Sequence, residues 1–191
     1  MFARPLRLTL FLAWALSFSA SVAAMSFLPG CASNRVQQST ALSGTKSRFA
    51  DKIVVKKSQR RLYLMRDGKP FRTYKISLGG NPVGHKRYQG DNRTPEGRYT
   101  IDWRKPNSRF YKALHISYPS WNDRVAAERR GWHPGGAIMI HGEPPVRGGD
   151  RDLHDLVRKQ DWTKGCIAVS NMAIDEIWGL TLDGTPIEIL P

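Results

Sequence analysis

Cysteine is scarce in this 191-residue chain, which has only Cys31 and Cys166. There is no C-x-x-C, no H-E-x-x-H and no close His-x-His pair, so the sequence offers no grouped zinc ligands, and neither a metal nor another cofactor is expected. Acids are also few, with 16 Asp and Glu against 30 Lys and Arg, a formal net charge of +14. Such a charge suits a polyanionic partner. No helix-turn-helix, zinc-finger or RNA-binding signature accompanies it, and the basic residues are spread along the chain, so nucleic acid is not the expected partner. A cell-wall polymer or an anionic membrane surface fits the charge as well. No repeat period is visible. With 40% hydrophobic and 24% charged residues, the composition suits one globular domain plus a short additional segment.

That segment is N-terminal. Residues 1–30 carry Arg4 and Arg7 and no acid, then an apolar run from Leu8 through Leu28, then small residues. This is the order of an export signal. The run also approaches the roughly 20 residues that span a bilayer, so an uncleaved anchor is the competing reading. Both place the rest of the chain outside the cytoplasm, in the periplasm or cell envelope. Leu28-Pro29-Gly30-Cys31 resembles the lipobox of bacterial lipoproteins, with Cys31 as the lipidated first mature residue, although Pro29 departs from the usual residue there. Ordinary cleavage after "SVAA" is the alternative. Residues 31–50, rich in Ser, Thr, Gln and Ala without apolar period, read as a flexible tether.

From residue 51 to 191 the pattern changes to short runs rich in β-branched and aromatic residues. A meander is expected over 52–80, with turns around Lys57 to Arg60 and at Asp67-Gly68. Further strands are expected at "GRYTIDW", "ALHISYP", "AIMIHG", "CIAVS" and "PIEIL". Two helices are expected. "RDLHDLVRK" carries Leu153, Leu156 and Val157 at helical spacing. "NMAIDEIWGLTLDG" carries Ile174, Ile177 and Trp178, with Ser170 or Asn171 as N-cap and Gly184 as its stop. The fold class is therefore mainly β, a β-sandwich or open barrel with one or two short helices.

Cys166 is the residue to explain. A lone cysteine is commonly a small buried hydrophobe. In an exported protein, however, an unpaired thiol is either deeply buried or retained for its reactivity. A thiol becomes a useful nucleophile beside a base, and the chain has five histidines: His85, His115, His133, His141 and His154. His141 ends the apolar run "AIMIHG", with Gly142 opening space beside it, and Cys166 begins "CIAVS". Two buried strands side by side would bring these side chains to one edge of a sheet. Gly165 lets the backbone approach a bound carbonyl, so that amides at Gly165 and Cys166 could receive an oxyanion; a simple tight turn explains a glycine there equally. Lys164 adds positive potential or is merely solvated. His133 lines the cleft or is an idle loop residue, and His115 reads as an ordinary strand residue. Tyr99, Tyr111, Tyr118 and Trp121 wall the cleft or pack in the core.

"TPEGRYTI" at 94–101, "IMIHG" at 138–142 and "TKGCIAVSN" at 163–171 resemble, in that order, three marks of the L,D-transpeptidase catalytic domain, also called the YkuD-type domain. The resemblance spans about residues 51–191. It implies that Cys166 is the nucleophile and His141 the base, its other ring nitrogen oriented by a backbone carbonyl, with Thr163, Gly165 and Gly142 in supporting roles. Lys164, His133, Arg147 and Asn171 are the candidates for substrate binding. It also implies acyl transfer on peptidoglycan stem peptides through a thioester, with an amine as acceptor and carbapenems as acylating inhibitors. Attack by water would make the enzyme an L,D-carboxypeptidase, and a protein-borne leaving amine would make it an amidase. A non-catalytic peptidoglycan-binding lipoprotein is the reading from another class. Two departures stand out. Ala168 occupies the position where the family commonly has Arg, leaving Arg147, Arg151, Arg158 and Lys164 as substitutes, and the segment between His141 and Cys166 is longer than usual.

Overall fold

Alternating burial builds the first strands. In β1 (Lys52–Lys56) Ile53 and Val55 point inward, and in β2 (Arg61–Arg66) Leu62 and Leu64 do. Each apolar side chain so buried contributes about 1.5–3 kcal/mol, while its charged neighbours face out. β3 (Lys69–Lys75) follows a two-residue turn in which Asp67 and Gly68 have φ of 51° and 72°, the two positive values that a tight hairpin requires. The remaining strands are β4 (Gly97–Ser108), β5 (Tyr111–Ile116), β6 (Met139–His141), β7 (Ile167–Ala168) and β8 (Pro186–Leu190). The computed structural model describes residues 47–145 and 160–191. The proposed export segment, Cys31, Arg147 and the helix expected at 151–159 lie outside the described residues.

The eight strands form one sheet in the order β3-β2-β1-β8-β4-β5-β6-β7. β1 and β8 are parallel, β6 and β7 are parallel, and the other neighbours are antiparallel. The chain leaving β3 then crosses to the far edge, where Ser77 bridges Ala168 and Gly79 bridges Thr163. Paired N–H···O bonds between Ser77 and Ala168, of 2.9 and 2.8 Å, seal the β7 edge. The sheet is thus curled so that the chain following its β3 edge meets its β7 edge, within the expected mainly β class. Ile101, Leu114, Ile116, Ile140, Ile167, Ile187 and Ile189 fill its interior.

Two helices are seen among the described residues. α2 (Asn171–Leu180) buries Ala173, Ile174 and Ile177 on the core, and Ser170 is its N-cap, accepting from the Ala173 N–H at 3.2 Å. It stops before Gly184, because Thr181 turns extended and its hydroxyl donates to the Ile177 carbonyl at 2.7 Å. α1 (Trp121–Glu128) is not expected from the hydrophobic pattern, since it buries Ala127 alone. Its signal is the capping box Ser120-x-x-Asp123, in which each side chain bonds the other's backbone amide. At the other end of the fold, Ala50 is buried and donates its N–H to the Leu180 carbonyl at 2.7 Å.

Candidate active site

The β6 and β7 strands pair in register, Ile140 against Ile167 and His141 against Ala168. Ile140 and Ile167 point into the core, so by strand alternation His141, Ala168 and Cys166 share the opposite face. Cys166 stands one pleat repeat before Ala168. With strands about 4.8 Å apart and rising about 3.3 Å per residue, its Cα lies roughly 8 Å from that of His141, within joint reach of an imidazole and a thiol. The Val169 N–H donates to the His141 carbonyl at 2.9 Å and fixes this offset.

His141 is buried. Its Nδ1 lies 2.7 Å from the Gly142 carbonyl oxygen. A carbonyl only accepts, so Nδ1 carries the hydrogen and Nε2 of the neutral ring holds the basic lone pair. Phe110 stacks on the ring at 4.6 Å between centroids, and Trp162 meets it edge-on at 5.7 Å. Burial pushes the imidazole pKa below its ordinary value, although the Gly142 bond pulls the other way. The half-buried Cys166 thiol is pushed up by burial, opposed by the Met139 backbone and the positive charge of Lys86. Its S–H is directed at the Ala137 carbonyl, 3.6 Å away. Both shifts favour the uncharged forms, thiol and neutral imidazole.

The turn that presents the thiol is closed by Thr163. Its hydroxyl donates to the Cys166 carbonyl at 2.7 Å and accepts from the Gly165 N–H at 3.1 Å. Gly165 has φ of +126°, and a methyl placed there would lie 2.7 Å from the Arg93 carbonyl oxygen. Glycine is the residue that fits this crossing. Gly79 meets the same loop from the other side, and its N–H donates to Thr94 Oγ1 at 3.1 Å.

That loop is held by two buried lysines. Lys57 donates to the carbonyls of Gly84 at 2.7 Å and Thr94 at 3.0 Å, and to Glu96 at 2.8 Å. Lys86 bonds Asp91 at 2.7 Å and the Tyr88 carbonyl at 3.1 Å. Burial alone would push the Asp91 carboxyl up. Bonds from the amides of Arg87, Tyr88 and Arg93 and from Lys86 outweigh it and hold the carboxyl below its ordinary value. The Gln89 N–H donates to the His133 carbonyl at 2.8 Å, which couples the loop to the segment ending at Ala137.

The structure thus brings together Cys166, His141, Gly142, Thr163 and Gly165. Asn171 is also present, but its Oδ1 accepts from the Glu143 N–H at 2.9 Å. Lys164 and His133 are exposed; His133 Nδ1 accepts from Gly135 N–H. Arg147 lies outside the described residues. Tyr99 and Tyr118 are core residues, whereas Trp121 is exposed. His115 bonds Asp102 and stacks on Trp103. Phe110, Trp162, Lys86 and Asp91 escape the sequence reading. Only the adjacency of Trp162 to Thr163 could have drawn attention to any of them. Among the described residues no three His, Cys, Asp or Glu side chains group to hold a metal ion.

Comparison with known proteins shows what the chain as a whole is similar to. YafK of Escherichia coli (strain K12), provisionally named as an L,D-transpeptidase, is 35% identical over 108 residues, 56% of this chain and 35% of YafK. The helical cell shape determining protein Pgp2 from Campylobacter jejuni superposes with a TM-score of 0.54 at 26% identity, covering 72% of this chain and 46% of that one. Bd1075 of Bdellovibrio bacteriovorus shares the fold, with a TM-score of 0.50 at 24% identity over 75% of this chain and 48% of its own. The chain spans about a third of YafK and about half of these solved chains. The model of the L,D-transpeptidase catalytic domain matches residues 50–189, from just before β1 into β8, and on that match the chain belongs to the L,D-transpeptidase catalytic domain (YkuD) family.

Proposed function

We propose that the protein is a cysteine-dependent L,D-transpeptidase acting on peptidoglycan stem peptides. The observation that carries the reading is the parallel pairing that sets Cys166, the residue before β7, beside the end of β6 at His141, with His141 held by Gly142 in the tautomer that leaves Nε2 basic. As Cys166 Sγ attacks the carbonyl of the third, diaminopimelate-type residue, Nε2 takes the thiol proton. The tetrahedral oxyanion is received at the 165–166 turn. Because the Gly165 amide is donated to Thr163, the Cys166 amide is the donor assigned to it. Collapse breaks the amide bond, Nε2–H protonates the departing D-residue amine, and a thioester remains. An acceptor amine then attacks the thioester, Nε2 removes its extra proton, and the thiol leaves as it regains a proton from Nε2–H. The basic surface, net +14 over the chain, gathers a substrate rich in carboxylates. The N-terminal segment delivers the domain to the periplasm or cell envelope, where acylation of Cys31 would tether it to the membrane.

The test is to incubate purified protein with disaccharide-tetrapeptide and follow intact-protein and product masses, with Cys166→Ala as control. A thioester adduct with release of a D-residue, and a cross-linked product, is the expected result. A tripeptide product would instead assign water as acceptor. Absence of adduct and product, with substrate still bound, would overturn the enzymatic reading in favour of a wall-binding role.

A further inference from the structure

Asn171 does not occupy the place of a substrate contact. The Gly142 carbonyl that accepts from His141 Nδ1 at 2.7 Å and the Glu143 N–H that donates to Asn171 Oδ1 at 2.9 Å are the two ends of one peptide group. A chain of hydrogen bonds therefore runs from His141 Nδ1–H into the Gly142 oxygen and out through the Glu143 N–H to Asn171 Oδ1. We propose that Asn171 is the positioning residue of the catalytic base, the third member of a Cys-His-Asn arrangement in which one peptide group stands between histidine and asparagine. The inference rests on the reading of His141 as the base.

An N–H bonded at one end of an amide polarises the group and makes its oxygen a better acceptor, by an estimated 10–30% per bond. This bond strengthens the hold on Nδ1–H and supports the imidazolium that forms when Nε2 takes the thiol proton. Asn171 adds a second hold on the orientation of this peptide, and does so from a rigid base, since it is the first residue of α2 after its N-cap Ser170. Lastly, the space is made for this contact. A methyl at Gly142 would lie 2.5 Å from Asn171 Oδ1 and 2.9 Å from the Phe110 carbonyl oxygen, so glycine lets the asparagine come against the peptide it orients.

Asn171→Ala and Asn171→Asp separate this role from substrate binding and from simple support of the helix. Aspartate keeps the accepting oxygen and loses the amide donors. Steady-state turnover of disaccharide-tetrapeptide should show kcat reduced about 10- to 100-fold in Asn171→Ala, with KM within twofold of wild type, and kcat restored to within about threefold in Asn171→Asp. Nitrogen-15 NMR of the His141 ring should show Nδ1–H dominant in the wild type and in Asn171→Asp, and a mixture of both tautomers in Asn171→Ala. A raised KM with unchanged kcat, an aspartate variant as poor as the alanine one, or an unaltered tautomer in Asn171→Ala would each overturn the proposal. The ring spectrum and the rate of Cys166 alkylation by iodoacetamide need no turnover. A wild type that is inactive on the tetrapeptide therefore defeats the proposed function while these two readouts still decide the role of Asn171.

Discussion

Gly165→Ala perturbs the crossing of two backbones beneath the nucleophile. The added methyl would stand 2.7 Å from the Arg93 carbonyl oxygen and 3.2 Å from Ile138 Cδ1, in a backbone with φ of +126°. An alanine in that region costs about 1–3 kcal/mol of conformational strain. Overpacking a filled site adds roughly 1–3 kcal/mol. The sum, about 2–6 kcal/mol, lowers the melting temperature by roughly 5–20 °C for a domain of this size. To reach ordinary contact, the turn or the loop at Arg93 must also give way by about 0.7 Å. A reacting atom misplaced by about 1 Å can lose 100-fold in rate, so acylation of Cys166 should slow by about 10- to 100-fold. Melting followed by circular dichroism and the rate of carbapenem adduct formation followed by mass spectrometry measure the two effects. Gly179→Ala is the internal control. A methyl there, on the exposed side of the last turn of α2, meets nothing within 4 Å, and replacing this glycine should stabilise by at most about 0.5 kcal/mol without changing the rate. If Gly165→Ala melts and acylates like the wild type, the steric account of the turn is wrong.

Other substitutions and conditions probe the remaining parts. His141→Ala should slow acylation at least about 100-fold, and a near-normal rate would move the base to another histidine. Because burial lowers the His141 pKa, the stability that the neutral ring contributes is complete above its unfolded pKa near 6.5 and lost as pH falls through the lower folded value; denaturant titrations in that acid window should show His141→Phe less sensitive to pH than the wild type. The raised thiol pKa predicts that iodoacetamide alkylation of Cys166 keeps accelerating as pH rises beyond the usual cysteine range, whereas a plateau reaching down to pH 5 would reveal a thiolate-imidazolium pair. Lys86→Met removes a positive charge that favours the thiolate and should slow alkylation at fixed pH, with partial recovery in Lys86→Arg. Lys57→Met leaves the Gly84 and Thr94 carbonyls and Glu96 without their ammonium and should cost about 3–5 kcal/mol, read as a lower urea midpoint at unchanged slope.

The strands were legible in the sequence because their information is local. Alternation places Ile53, Val55, Leu62 and Leu64, a two-residue turn shows itself as Asp67-Gly68, and an apolar run ending in His141 followed by one beginning at Cys166 suffices to predict a paired edge. α1 was not legible from periodicity, since a helix that buries only Ala127 has no apolar stripe. Lys57 illustrates the difference most clearly. By itself it reads as an exposed turn lysine, yet it is 2% exposed because carbonyls and a carboxylate supplied by residues 84–96 surround its ammonium. The same holds for Phe110 and Trp162 around the base, and for the bond of Asn171 to a peptide 28 positions earlier in the chain. Sequence by itself determined the mainly β class, the hairpin, α2 and the identity of the candidate nucleophile and base, because side-chain period, turn chemistry and a short motif are properties of neighbouring residues. Only the tertiary structure decided the tautomer of His141 and the partners of the buried polar groups, because a hydrogen bond depends on where distant backbone atoms come to rest.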